Sequence, residues 1–101
     1  MYQLLIENFK HNPHDVHTVP FTKRNYTWFY VFVENDKLYI EPAHNHAPKS
    51  AVKRRPLHNS ECNEMLSIYH RRLRGEQISA EARTRTYSQV YWYGIFAELN
   101  L

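Results

Sequence analysis

Tyr26–Val33 (YTWFYVFV), followed by Asn35-Asp36-Lys37 and then by Leu38-Tyr39-Ile40-Glu41, decides the fold of this chain. Aromatic and β-branched residues fit an extended, half-buried backbone, and the polar triplet breaks the run before the pattern resumes. The segment therefore reads as an antiparallel β-hairpin. Period-two alternation places Tyr26, Trp28, Tyr30 and Phe32 on one face and Thr27, Phe29, Val31 and Val33 on the other. Both faces are apolar, so helices or a further strand are expected to cover much of each. Pro42, which lacks a ladder donor, ends the second strand.

Downstream, Ala43–Asn59 is polar, basic and punctuated by proline, and reads as one long irregular connection. Ser60 is positioned to cap a helix whose Cys62, Met65, Leu66, Tyr69 and Leu73 fall within one apolar stripe about 100° wide. Gly75 supplies the stop. Ser79 opens a second helix. Thr86 and Gln89 have capping-box spacing ahead of the apolar segment Tyr87–Leu99, which is assigned as helix with strand as the competing assignment. Upstream, Tyr2, Leu5, Ile6 and Phe9 share one helical face, although Tyr2, Leu4 and Ile6 would also suit a strand beside the hairpin. His11–Pro20 reads as a loop. The expected architecture is one small α+β domain over 1–101: an antiparallel hairpin, with the amino-terminal segment a candidate extension, packed against two or three helices.

Length and composition agree with a single domain. The chain has 101 residues, 43% of them hydrophobic and 23% charged, within the range of globular proteins. Two glycines, Gly75 and Gly94, are too few for a phosphate-cradling loop or a dinucleotide fingerprint. The longest apolar run, Val90–Ala97, falls far short of the roughly 18 residues of a membrane span. Leu4-Leu5-Ile6 is too short for a signal-peptide core. Cys62 is the single cysteine and has no internal disulfide partner, so a reducing, cytoplasmic setting is expected.

Charge is segregated. Residues 1–48 balance at −1, whereas residues 49–101 balance at +4. Lys49, Lys53, Arg54 and Arg55 lie on the long connection, Arg71, Arg72 and Arg74 at the end of the capped helix, and Arg83 and Arg85 on the following element. Such a set suits a polyanion, because cations near phosphates release condensed counterions and the guanidinium fork matches phosphate oxygens. The plainer account is that cations in a last helical turn complement the helix dipole, which covers Arg71 and Arg74. It does not cover Lys53-Arg54-Arg55, which precede a helix start. A helix–turn–helix around Gly75 is a narrower version, with Arg83, Arg85 and Gln89 facing a groove.

Three further groups bear on function. Tyr26, Trp28, Tyr30 and Phe32 would form a stacking platform for unpaired bases if exposed, and a core strand if buried. His11, His14 and His17 with Asp15, and the pair His44 and His46, are metal-type ligands, but without cysteine pairs they read as solvated or hydrogen-bonding histidines, and no metal or cofactor is expected. Cys62 falls in the apolar stripe, where a thiol is inert, and no carboxylate pair has a catalytic setting. The leading expectation is a non-catalytic nucleic-acid-binding protein contacting phosphates through the basic residues above. The competing expectation is a protein-interaction or homodimeric module with an aromatic interface including Trp28, Tyr30, Tyr91 and Trp92, since fifteen aromatics exceed what so small a core readily covers.

Overall fold

The computed structural model describes residues 1–20 and 25–101; Lys23 and Arg24, which enter the amino-terminal charge balance, lie outside them. The described elements are α1 (Tyr2–His11), β1 (His14–His17), β2 (Trp28–Glu34), β3 (Lys37–Pro42), β4 (Arg55–Leu57), α2 (Asn59–Leu73), α3 (Ser79–Arg85) and α4 (Gln89–Glu98). The strands form one antiparallel sheet in the order β1-β2-β3-β4. This is a small α+β domain, as the hairpin implied.

The hairpin turns through Asn35 and Asp36, both at positive φ (51° and 59°), with Glu34 paired to Lys37. Two consecutive left-handed residues make the tight turn whose twist matches a right-twisted ribbon, and Asn and Asp tolerate that conformation. The sheet is wider than the hairpin the sequence announced. His14–His17, expected as loop, is an edge strand, and Arg55–Leu57 forms a second edge within the supposedly irregular connection. Neither carries a readable pattern. Val16 is the one apolar residue of β1, and β4 is three residues long with a central proline, tolerable only at an edge.

Helices cover one face. Phe29, Val31, Leu38, Ile40 and Leu57 are buried there against Leu5, Ile6 and Phe9 of α1, Met65 and Ile68 of α2, and Trp92, Ile95 and Phe96 of α4. Tyr2 ties α1 to the sheet: its hydroxyl donates to the Leu57 carbonyl and accepts from the Leu38 amide, each at 2.8 Å. The buried stripe of α2 is rotated from the expected one. Ile68 is inside and Leu73 is exposed, because α3 as well as α4 packs on this helix. Gly75, at φ +92°, ends α2 as anticipated; its amide and that of Glu76 bond back to the carbonyls of Arg72 and Arg71.

The expected hydroxyl caps do not form. His58, Ile78 and Ser88 occupy the capping positions of α2, α3 and α4, and none makes a side-chain cap bond. The Ser79 hydroxyl instead accepts from Arg72, and the Thr86 hydroxyl bonds Glu61 and the Ser88 amide.

Gly94 marks the closest approach of α4 to the sheet. A Cβ there would lie 2.6 Å from the His17 carbonyl oxygen and 3.2 Å from the Phe29 ring. Gly94→Ala should therefore destabilise the fold by about 1–3 kcal/mol, although alanine would favour an isolated helix by about 1 kcal/mol. Urea denaturation reads the sign directly.

Candidate functional site

No described helix packs on the second face of the sheet, contrary to the expectation that helices or a further strand would cover much of both. Strand register places His17 opposite Trp28, Asp15 opposite Tyr30, Glu41 on the other side of Tyr30, and Tyr39 between Phe32 and Pro56. The rings make a strip of two runs, one at the Trp28 end and one from Tyr30 to Tyr39. His17 lies 4.6 Å from Tyr26 and 5.1 Å from Trp28, Tyr30 lies 5.8 Å from Phe32, and Phe32 stacks on Tyr39 at 5.6 Å. Tyr26 is 44% exposed, while Trp28, Tyr30, Phe32 and Tyr39 are half-buried. A shallow cleft of about 270 Å³, lined by Asn25, Tyr26, Ala47 and Pro48, continues the strip.

The segment after β3 folds back over the middle of this strip. The His44 ring stacks on Tyr30 with centroids 3.4 Å apart and planes 6° from parallel, and the His46 ring stacks on Trp28 at 4.0 Å and 15°. Asp15 holds the segment down. Its side chain is fully buried, and its oxygens accept from the amides of His44, Asn45 and His46 and from His46 Nδ1 at 2.7–3.0 Å. Burial alone pushes the Asp15 carboxyl up, but the His44 amide, the His46 ring and the two remaining amides outweigh it, and the group is held below its ordinary range. His44 Nε2 meets Glu41 at 2.5 Å. The histidines of this segment thus hydrogen-bond to carboxylates. Among the described residues no three His, Cys, Asp or Glu side chains are grouped to hold a metal ion.

The basic residues divide between the two sides. Arg54 reaches over the open face, its guanidinium carbon 5.1 Å from the Phe32 ring centre and 5.4 Å from that of Tyr39, and it pairs with Glu34. Lys49 borders the Trp28 end, because the Trp28 amide donates to the Pro48 carbonyl and the Ser50 amide to that of Trp28. Lys49 and Lys53 are exposed and make no ion pair among the described residues. Arg55, one step further along β4, lies at the register of Ile40 on the helical side, over the Tyr91 ring at 5.4 Å.

The helix arginines have structural partners. Arg71 makes a two-pronged bond to Glu81 and another to Glu76, which push its guanidinium still further up and draw Glu81 below the usual carboxylate range. Arg74 pairs with Glu76 and Arg85 with Glu64, while Arg83 is exposed on α3. The Arg71–Glu81 and Arg85–Glu64 contacts join α3 to α2, and Arg74 is paired within the turn between them, which accounts for these three arginines without a ligand.

The four aromatics singled out from sequence are not one surface. Trp28 and Tyr30 belong to the open face. Tyr91 lies on the opposite side, edge-on to Phe29 and bonded to Ser50. Trp92 is 0% exposed in the core of the single chain, out of reach of a partner, which corrects its assignment to an interface. Burial pushes the Cys62 thiol up to about 11, consistent with an inert core residue. Sequence reading missed Asp15, His17 and Tyr39 as members of the open face. For the segment over the face a signal was present: His44-x-His46 has the same two-residue step as Trp28-x-Tyr30.

No described helix is long and apolar enough to cross a membrane. Fold and site together define a two-layer α+β domain with an aromatic–histidine sheet face that no described helix covers. Comparison with family models, curated proteins and solved structures gives no match, so what this face does is argued from its own chemistry.

Proposed function

We propose that this chain is a non-catalytic binding module for single-stranded nucleic acid, with the open aromatic face as its contact surface. The observation that carries the reading is the strip of Tyr26, Trp28, Tyr30, Phe32 and Tyr39 on a four-stranded antiparallel sheet, on the face that no described helix packs against. Aromatic rings on such a sheet offer stacking places to splayed bases, each worth roughly 1–3 kcal/mol. Rings two residues apart on a strand are roughly 6–7 Å apart, about twice the 3.4 Å step of bases in a helical strand. Stacked duplex bases do not match that interval, whereas an unstacked single strand does.

The electrostatics favour a polyanion modestly. The acids bordering the face are engaged: Asp15 by amides and His46, Glu41 by His44, Glu34 by Arg54. Lys49, at the Trp28 end, remains to meet phosphates. Arg54 adds a guanidinium whose exposed pairing with Glu34 contributes little and exchanges readily. The contact then lies on the sheet rather than at Arg71, Arg74 and Arg85, which have carboxylate partners.

Anisotropy titration of labelled single strands and duplexes at two salt concentrations tests the reading. Salt-sensitive binding that favours the single strand is expected, and Trp28→Ala should weaken it by at least about fivefold. Micromolar protein with no salt-dependent binding of either form would end the proposal. The 44% exposure of Tyr26 beside half-buried Trp28 also supports a second reading, self-association through the same face. Sedimentation across a dilution series separates the two.

A further inference from the structure

We infer that Trp28 and Tyr30 are two stacking subsites and that the chain's own His44-Asn45-His46 segment occupies them as an internal competitor, displaced when ligand binds. The inference rests on the nucleic-acid reading above and adds where the bases sit and what they must remove. Three observations converge on it. First, the imidazoles lie nearly parallel to the indole and phenol rings, at 4.0 and 3.4 Å, which is the geometry a nucleobase would adopt. Second, both pairs repeat every two residues, so an extended backbone presenting flat heteroaromatic rings at that interval already fits this surface. Third, the covering side chains are only half inside: His44 is 44% and His46 49% exposed. Their withdrawal uncovers rings of the sheet surface and leaves the core on the opposite face closed.

The anchoring is one-sided in a way that permits exchange. Asp15 grips mainly the backbone of the segment, through the amides of His44, Asn45 and His46. The His44 ring is held by its stack and by Glu41, and the His46 ring by its stack and one bond to Asp15. The rings can therefore rotate off while the backbone stays clamped, and two bases take their places. A covered subsite lowers apparent affinity by the fraction of molecules in which it is open, so removing the cover should raise affinity by the inverse of that fraction.

The test uses the full chain carrying His44→Ala with His46→Ala, and separately His44→Ala, which leaves every bond to Asp15 intact. Acrylamide quenching of tryptophan fluorescence reads the cover without any ligand, since Trp92 is buried and Trp28 lies under His46. Quenching should rise in the double variant. A fluorescein-labelled oligothymidylate of about 15 nucleotides should bind the double variant about tenfold more tightly and the single variant by an intermediate factor. Unchanged quenching would overturn the cover. Raised quenching with unchanged or weaker binding would overturn the competition and leave the nucleic-acid reading standing. Raised quenching with no binding by any form would overturn that reading and this inference with it.

Discussion

Trp92→Ala should destabilise the domain by about 3–5 kcal/mol, the largest effect expected of any single replacement in the core. The indole is fully buried, stacks on Phe96 at 5.6 Å, and donates from Nε1 to Glu61 Oε1 at 3.0 Å. The same carboxylate oxygen accepts from the Thr86 hydroxyl at 2.8 Å, so one acid ties α2, the α3–α4 connection and α4 together. Removing the ring leaves a cavity and strips Glu61 of a partner. With total stability for a domain of this kind about 5–15 kcal/mol, much of the margin disappears. Trp92→Phe keeps most of the volume and loses the hydrogen bond, so about 1–2 kcal/mol is expected. Chemical denaturation of the pair separates packing from polar contributions. A tryptophan serving an interface would instead leave single-chain stability nearly unchanged when removed.

The hairpin was legible because β2 concentrates aromatic and β-branched residues and its turn carries Asn35-Asp36, so local chemistry and tertiary role agree. The glycine stop at Gly75 was legible for the same reason. The edge strands were not. Four residues with one apolar side chain, and three with a central proline, become strands only because β2 and β3 offer them a ladder. The site divides along the same line. Period-two alternation identified Trp28, Tyr30 and Phe32 as one face, but not whether that face was core, since an uncovered aromatic strand and a buried one have the same composition. The surroundings of the arginines were hidden for a related reason. Charge counted along a chain ignores carboxylates brought near by folding, and Arg71 and Arg85 meet Glu81 and Glu64 only once α3 docks on α2. Asp15 carried no signal, because its partners are backbone amides some thirty residues away.

Asp15→Asn should cost about 2–4 kcal/mol at neutral pH, because the residue is an acceptor with nothing but donors around it. Oδ1 takes the His44 amide, while Oδ2 takes the amides of Asn45 and His46 and the His46 ring. An asparagine in the same place turns an NH₂ group toward one of those sets in either orientation, so at least one buried amide loses its acceptor. The substitution also identifies the charge through pH. The Asp15 carboxyl is held below its ordinary value near 3.8 by these donors, against the opposing push of burial. A depressed folded-state pKa contributes stability that is fully present above the ordinary value and is lost as pH falls through the folded one. The stability gap between the natural chain and Asp15→Asn should therefore be constant from pH 7 down to about pH 5 and shrink below about pH 4. Urea titrations at pH 7, 5 and 3 measure it. Amide exchange at His44, Asn45 and His46, fast in the variant and protected in the natural chain, places the loss in the segment that covers the aromatic face. A gap that stayed the same at pH 3 would mean that shape rather than charge holds this segment to the sheet.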